Sequence, residues 1–86
     1  MARYEVRFRK SVGKDLDPIP KKDAQRIIAA IDALADDPRP QQSRKLSGSE
    51  KYRLRHGVYR VLYEIQDDVL LVCFVKVGYR KDVYRN

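Results

Sequence analysis

Hydrophobic and polar residues alternate near the start of the chain. Tyr4, Val6 and Phe8 are separated by arginine and glutamate residues. A period of two is typical of a strand with one buried face, so we predict a β-strand here. Ser11 follows and is placed to cap a short helical turn that contains Lys14-Asp15-Leu16.

The apolar spacing changes to a helical period after Pro20. Apolar residues then recur three and four positions apart, at Ala24, Ile27, Ile28, Ile31, Leu34 and Ala35. This spacing predicts an amphipathic helix. Pro20 suits its first turn, and Asp36-Asp37-Pro38 predicts its end. The polar residues 39–49 are predicted to form a loop.

Three further strands are predicted in the second half of the chain. Apolar and aromatic residues concentrate in residues 52–55, 58–65 and 69–77. The dipeptides His56-Gly57 and Asp67-Asp68 separate these runs and predict two-residue hairpin turns. We therefore predict an α+β fold, in which two N-terminal helices pack on a mainly antiparallel four-stranded sheet. The predicted order is β-α-α-β-β-β, in one domain over residues 1–86.

Charge adds a functional direction to this fold. The net charge is +7 and the isoelectric point is about 9.8. Residues 1–43 hold nine Lys and Arg against seven Asp and Glu, whereas residues 44–86 hold ten against five. The excess positive charge therefore lies in the C-terminal half. A polyanion is the expected partner, and nucleic acid is the commonest one.

Several classes of protein are excluded by composition. No apolar run is long enough to span a membrane, and no signal-peptide core precedes the first strand, so we expect a cytoplasmic protein without a membrane partner. Cys73 is the only cysteine and lies in an apolar run, which predicts a small buried residue. One Cys and one His supply too few ligands for zinc. We expect no metal site and no cofactor.

The predicted first hairpin collects arginines on one face. A turn at His56-Gly57 sets Arg53 opposite Arg60 and Arg55 opposite Val58. The other face is apolar and should receive the longer helix; it holds Tyr52, Leu54, Tyr59, Val61, Tyr63 and Ile65. Like charges on facing positions destabilise a sheet by up to about 1 kcal/mol. An anion is therefore the expected partner of these arginines, since Arg binds phosphate bidentately.

The C-terminal residues are expected to reach the same arginines. A turn at Asp67-Asp68 sets Val75 beside Arg60, so the C-terminal residues leave the sheet near the arginines of the first hairpin. Arg80 and Tyr84 then come within reach of one phosphate and a neighbouring base, because phosphate binds Arg and a base stacks on an aromatic ring. Four apolar residues are predicted on the arginine face and indicate a protein partner: Leu71, Cys73, Val75 and Val77.

Three segments occur in a recognisable order: residues 45–48 (KLSG), 52–63 (YRLRHGVYRVLY) and 77–84 (VGYRKDVY). On these segments the chain resembles the RelE family of toxins, which belongs to the RelE/ParE superfamily of bacterial and archaeal toxin–antitoxin systems. The resemblance implies the sheet and helices predicted above. It also implies a metal-independent endoribonuclease that cuts translating mRNA in the A site of the 70S ribosome. A cognate antitoxin, RelB-like or of another family, is implied as the neutralising partner, with operator DNA contacted only through the complex.

The resemblance assigns roles to individual residues. Arg60 matches the arginine that contacts the scissile phosphate, and Arg80 matches the second active-site arginine. Tyr84 matches the tyrosine that stacks on a base and supports catalysis. Arg53 and Arg55 occupy positions that are lysines in the best-known bacterial relative. Four lysines are further candidates for RNA binding: Lys45, Lys51, Lys76 and Lys81.

Arginines at the lysine positions change the expected chemistry. Attack by the 2′-hydroxyl on the phosphate requires a base, and an arginine stays protonated because its pKa exceeds about 12. Arg53 and Arg55 are therefore expected to stabilise charge. The base is left open between Tyr84, the RNA, the ribosome and water. His56 is not favoured as the base, because the predicted turn and the family pattern place no catalytic residue there.

Two other functions are compatible with this fold. A ParE-like toxin would inhibit DNA gyrase without cutting RNA, but that branch generally lacks the combination of Arg60, Arg80 and Tyr84. A catalytically inactive module would bind nucleic acid or an antitoxin only. Assays of gyrase supercoiling and of mRNA cleavage separate these functions.

Overall fold

The computed structural model describes residues 3–48 and 50–79 of the chain. The strands are β1 (Glu5–Phe8), β2 (Ser43–Lys45), β3 (Lys51–His56), β4 (Tyr59–Gln66) and β5 (Leu71–Tyr79). The helices are α1 (Lys10–Leu16) and α2 (Lys21–Asp36), and a single 3₁₀ turn covers Asp67–Val69. No helix among the described residues is both long and apolar enough to cross a lipid bilayer.

Helix α2 has the predicted bounds. It begins directly after Pro20, and Asp37, which precedes a proline, is already extended with φ −144°. The buried stripe consists of Ile27, Ile31, Leu34 and Ala35. Ile28 was predicted to share this stripe but is 51% exposed, because it follows Ile27 directly and lies about 100° further round the helix.

The sheet has the strand order β1-β5-β4-β3-β2. Strand β1 runs parallel to β5, and the other pairs are antiparallel. The prediction of two helices on a mainly antiparallel sheet is thus confirmed, with five strands instead of four. The additional strand β2 lies within residues 39–49, which were predicted as a loop. It pairs with β3 at the edge of the sheet, so its formation depends on pairing with the next strand and not on its own sequence pattern.

The pairing register of the β3–β4 hairpin differs by two residues from the predicted one. Gly57 and Val58 form the turn, so His56 is the last residue of β3 and pairs with Tyr59. Gly57 has φ +61° and Val58 does not have a positive φ, a combination typical of a type II′ turn, in which glycine takes the first central position. The predicted turn placed glycine second, which is why its register is wrong.

The β4–β5 connection also differs from the prediction. The turn is not Asp67-Asp68 alone but continues through Val69 to Leu70, which adopts the left-handed conformation with φ 51°. A register shift follows at Leu62/Tyr63, so that Arg60 pairs with Gly78 and not with Val75. Val77 pairs with Val61 and is buried in the core, so its predicted place on the arginine face is wrong.

The N-terminal segment agrees with the sequence in part. The predicted strand is present as β1, with Tyr4 and Val6 packed against the core, but Phe8 is 53% exposed. Ser11 lies inside α1 and does not cap it; Arg9 is the N-cap and makes no side-chain capping bond. The prediction of a serine cap is therefore wrong.

Both helices pack on one face of the sheet. Val12 of α1 and three residues of α2 form a single apolar cluster with the sheet, and the buried strand residues in it are Leu54, Tyr59, Val61, Tyr63, Val72, Phe74 and Val77. Every apolar residue that was predicted to face the helix from the first hairpin lies in this cluster or packs against it. The two-residue error in register preserves the face of each side chain, because strand side chains alternate.

Candidate nucleic-acid interface

The arginines of the first hairpin lie on the sheet face that points away from α1 and α2, here called the outer face. Residues paired in register share a face, so the pairing identifies its members. From β1 to β2 across the sheet they are Glu5, Arg7, Leu71, Cys73, Lys76, Gly78, Gln66, Glu64, Leu62, Arg60, Lys51, Arg53, Arg55 and Arg44. Basic residues thus dominate the outer face.

Arg55 and Arg60 are direct neighbours on adjacent strands. Arg55 of β3 pairs with Arg60 of β4, whereas the sequence predicted Arg53 in that place. Arg53 instead pairs with Leu62, two residues further along β4. The three predicted arginines therefore share one face and one hairpin. Two like charges in facing positions favour an anion between or above them.

Arg60 is held more firmly than its neighbours. Arg60 is only 6% exposed. Its Nη1 atom donates hydrogen bonds to the carbonyl oxygens of Tyr59 (3.0 Å) and Gly57 (3.4 Å). A guanidinium that is oriented by the backbone and partly removed from water interacts more strongly with a phosphate than a fully solvated one does.

A second pair of arginines faces each other on β2 and β3. Arg44 pairs with Arg53, and both line a depression of about 440 Å³ together with Gln42 and Arg55. Arg44 and Arg55 are exposed and Arg53 is half-buried. The described residues that line this depression carry positive charge or an amide, and none of them is acidic.

The loop before β2 is fixed at several points. Tyr63 is fully buried and its hydroxyl donates to the carbonyl oxygen of Pro38 at 2.7 Å, while Ser43 donates to Pro40 through both its backbone N–H (2.9 Å) and its hydroxyl (3.0 Å). Burial raises the pKa of the Tyr63 hydroxyl, so this group stays a proton donor. Strand β2, and Arg44 with it, is therefore held in place by the core.

Arg39 joins this loop to the opposite end of the hairpin. It donates to both carboxylate oxygens of Asp67, at 3.1 and 2.9 Å, and to the hydroxyl of Tyr52 at 3.1 Å. The Tyr4 hydroxyl also donates to Asp67 at 2.7 Å. These hydrogen bonds, first that from Arg39, lower the pKa of Asp67 from 3.8 to about 2, because they favour the ionised carboxylate.

Not all of the candidate lysines lie with the arginines. Lys51 and Lys76 belong to the outer face, opposite Glu64 and Leu62 respectively. Lys45 pairs with Tyr52, whose face is that of the helices, and it lies 3.9 Å from Glu50. Its position thus differs from that of the arginine group, although it belongs to the same short strand as Arg44.

The remaining candidates lie outside the described residues. Arg80, Lys81 and Tyr84 follow Tyr79, the last residue of β5. Gly78, which precedes Tyr79, pairs with Arg60. The end of β5 therefore lies next to Arg60, as predicted for this strand, although the pairing residue is Gly78 and not Val75.

The single histidine and the single cysteine lie apart from the arginine pairs. His56 pairs with Tyr59 and so shares the helix side of the sheet with it, which corrects its predicted place in a turn. Cys73 is half-buried, not buried, and lies opposite Glu64 on the outer face. Over residues 3–48 and 50–79, no three His, Cys, Asp or Glu side chains group closely enough to hold a metal ion.

Arg44 is the outer-face residue that sequence reasoning missed. It falls in residues 39–49, whose polar composition predicts a loop, and three residues are too few to show strand alternation. The signal that could have found it is its spacing from the other arginines. If residues 43–45 are treated as a strand facing residues 52–54, Arg44 comes opposite Arg53.

Comparison with known proteins places the chain beside one group of toxins. Residues 6–84 match the model of a family described as the ParE toxin of the type II toxin–antitoxin system parDE. The chain is 30% identical to the toxin RelE1 of Methanocaldococcus jannaschii, over 98% of each chain. It is 32% identical to the toxin RelG of Mycobacterium tuberculosis, over 95% of this chain and 97% of the relative.

A solved structure shows the same similarity in three dimensions. The crystal structure of the archaeal RelE–RelB complex from Pyrococcus horikoshii superposes with a TM-score of 0.82 and 31% sequence identity. The superposition covers 95% of this chain and 99% of that one. The arrangement of two helices on one face of the sheet is therefore shared over almost the full length.

Proposed function

The chain belongs to the RelE/ParE superfamily of type II toxin–antitoxin toxins, and we propose that it is a ribosome-dependent endoribonuclease that cleaves mRNA in the A site. The toxin class follows from the family. The names of its relatives, RelE1 and RelG, favour a RelE-type activity over inhibition of DNA gyrase by a ParE-like toxin. We take residues 1–86 as one toxin domain.

The pair Arg55–Arg60 carries the proposal. Two guanidinium groups face each other across neighbouring strands, and Arg53 lies on the same face of the same hairpin. Within the described residues, no carboxylate forms an ion pair with Arg55 or Arg60. A phosphodiester supplies the missing negative charge and has oxygens that match the guanidinium donors.

The arrangement suits cleavage by the RNA's own 2′-hydroxyl. The 2′-hydroxyl loses its proton and its oxygen forms a bond to phosphorus, while the bond to the 5′-oxygen breaks and that oxygen takes up a proton, so the products are a 2′,3′-cyclic phosphate and a 5′-hydroxyl. Negative charge builds up on the phosphate oxygens in between, and Arg60, aided by Arg53 and Arg55, stabilises that charge. No metal is needed for this step, since the cationic charge comes from side chains.

Proton transfer requires groups other than these arginines. Arginine stays protonated, so it does not accept the proton of the 2′-hydroxyl. Tyr84, the RNA, the ribosome and water are the candidates for this role. Arg80 is the second proposed phosphate ligand, and Tyr84 the residue on which a base stacks. Lys45, Lys51, Lys76 and Lys81 are proposed to contact the RNA backbone, with Lys51 and Lys76 the best placed.

The proposed partners follow from the relatives. The Pyrococcus horikoshii relative forms a complex with RelB, so we propose a RelB-like antitoxin as the neutralising partner of this chain. The 70S ribosome and mRNA are the proposed targets, so we propose that the protein acts in the cytoplasm. Operator DNA is contacted only through the antitoxin complex.

The test uses a purified translation system. Wild-type toxin and the variant Arg60→Met are added to ribosomes that translate a defined mRNA, and the 5′ ends of the fragments are mapped. We expect cuts within the A-site codon by the wild type and a cleavage rate lower by roughly 10²–10³-fold in the variant. Methionine retains most of the buried stem of Arg60, so the variant removes charge with little loss of packing.

Arg7→Met is the matched control for this experiment. Arg7 lies on the outer face at the far edge of the sheet, where it pairs with Glu5 at 3.1 Å, so its loss should leave cleavage unchanged. Intact mRNA with the wild-type toxin would refute the nuclease proposal. A supercoiling assay with DNA gyrase should show no inhibition; inhibition there, with intact mRNA, would establish the ParE-like alternative.

A further inference from the structure

Arg44 extends the basic surface beyond the arginines that the family resemblance singles out. It lies on β2, at the edge of the sheet, and pairs with Arg53 on the outer face. The hairpin pair Arg55–Arg60 lies on β3 and β4. Two arginine pairs therefore follow each other across three neighbouring strands, on a diagonal, because Arg53 and Arg55 are two residues apart along β3.

The guanidinium of Arg44 is restrained by the backbone around it. Its Nη1 atom donates to the carbonyl oxygens of Gln41 at 2.9 Å and Ser43 at 3.0 Å. No carboxylate in the described part of the chain forms an ion pair with it. A side chain that is oriented before a ligand arrives loses less conformational entropy on binding. Arg44 is thus prepared for an anion that comes from outside the chain.

The surroundings of Arg44 form a concave surface of suitable composition. The depression of about 440 Å³ is lined by Gln42, Arg44, Arg53 and Arg55. The three guanidinium groups can donate hydrogen bonds to phosphate oxygens, and the amide of Gln42 can donate to or accept from a sugar hydroxyl or a base edge. Such a mixture is typical of a surface that follows a single-stranded nucleic acid backbone.

The distance between the two ends of this surface argues for two phosphates. Neighbouring strands are about 4.8 Å apart, so β2 and β4 are separated by roughly 10 Å. We propose that Arg44, with Gln42 and Arg53, binds a second phosphate next to the scissile one, so that the RNA crosses the outer face from β4 to β2. This inference rests on the proposed function, because it takes RNA as the substrate. Arg44 is then a binding residue and takes no part in the chemical step.

The first measurement separates binding from chemistry. Ribosomes are programmed with an mRNA that carries 2′-O-methyl groups in the A-site codon, which block cleavage, and the affinity of the toxin is determined. We expect Arg44→Ala to weaken binding about tenfold, the effect of one charged contact. With cleavable mRNA, KM should rise by a similar factor while kcat stays unchanged, since uniform binding is lost.

The second measurement identifies the partner of Arg44. A single neutral methylphosphonate linkage replaces the phosphate on either side of the scissile one. In one of these two positions, the wild type should lose about tenfold in affinity and Arg44→Ala should lose nothing further. Arg26→Ala is the control: Arg26 is exposed on α2, away from the outer face, so its removal changes the net charge by the same amount and should leave binding unchanged.

Each outcome decides one of the two proposals. If the wild type does not cleave translated mRNA, the proposed function fails, while the binding assay with blocked mRNA still tests Arg44. If the wild type cleaves and Arg44→Ala has an unchanged KM, the second phosphate site is refuted. It is equally refuted if the effect of Arg44→Ala persists on both neutral linkages, or if the variant weakens only the binding of an antitoxin.

Discussion

At the scale of single residues, Asp67 is the centre of a polar cluster at the β4–β5 connection. Its carboxylate accepts hydrogen bonds from Arg39 and Tyr4, which belong to segments distant in sequence. The bidentate contact with Arg39 matters most, because it is the first cause of the lowered pKa of Asp67. The cluster connects the loop before β2 to the β4–β5 turn, so it supports Arg44 from a distance.

The lowered pKa predicts how stability depends on pH. The pKa of Asp67 is about 2 in the folded protein against an ordinary value of 3.8, so the ionised form favours folding. The contribution of Asp67 is fully present above about pH 4 and is lost as the pH falls towards 2. Urea denaturation of the wild type and Asp67→Asn should therefore show a less stable variant at pH 7, with a difference that shrinks between pH 4 and pH 2. A constant difference over this range would contradict the role of ionised Asp67.

The arginines of the outer face differ in how far they are buried and restrained. Arg60 is nearly buried and held by two backbone carbonyls, whereas Arg44 and Arg55 are exposed. A restrained, partly desolvated charge acts most strongly on a transition state, and exposed charges act mainly on binding. We therefore propose Arg60 as the central phosphate ligand and the exposed arginines as its supplements.

At the scale of elements, the β3–β4 hairpin determines which arginines face each other. Its turn places Gly57 at a position with φ +61°, which glycine adopts without the steric penalty that other residues meet. This position fixes Arg55 opposite Arg60. The pairing of Arg55 with Arg60 therefore depends on the conformation of this turn.

The conformation of Gly57 predicts the effect of an alanine at this position, and Gly13 provides a control. Gly57→Ala places a Cβ in the left-handed region and should lower the free energy of unfolding by about 1–2 kcal/mol. Gly13→Ala is the control with the opposite sign: Gly13 lies in α1, and a Cβ there meets nothing within 4 Å. Alanine favours a helix over glycine by up to about 1 kcal/mol. Both values come from urea denaturation, and a neutral Gly57→Ala would contradict the turn.

At the scale of the whole molecule, the sheet separates two environments. The face towards α1 and α2 is apolar and forms the core, and the outer face is mostly basic. The net charge of +7 is therefore not spread evenly. A polyanion is attracted to one side of the molecule, which orients it before it makes specific contacts.

This asymmetry predicts the salt dependence of RNA binding. For single-stranded RNA, the logarithm of the affinity falls with the logarithm of the salt concentration, with a slope of about −0.7 per phosphate neutralised. The double variant Arg53→Met/Arg55→Met should reduce the steepness of this slope by about 1.4. Lys21→Met/Arg26→Met removes two exposed charges from α2 and should leave it unchanged. Equal effects of the two double variants would mean that binding depends on net charge alone.

Sequence patterns correctly predicted those elements whose bounds depend on neighbouring residues. The bounds of α2 follow from Pro20 and from Asp37 before Pro38, and they are confirmed. The shared face of Arg53, Arg55 and Arg60 also survives, because the register error is two residues and side chains alternate with that period. The register of β5 against β4 was wrong, since the Asp67–Leu70 connection and the shift at Leu62/Tyr63 depend on packing.

The sequence alone determined helix α2, the approximate positions of β1, β3, β4 and β5, and which face of the first hairpin carries charge, because these depend on the periodicity of a few neighbouring residues. Only the tertiary structure decided that Arg55 faces Arg60, that Gly78 lies beside Arg60, and that residues 43–45 form a strand bringing Arg44 to Arg53. Each of these contacts joins two different strands, and its register depends on turn conformation and core packing together. No local pattern contains that information.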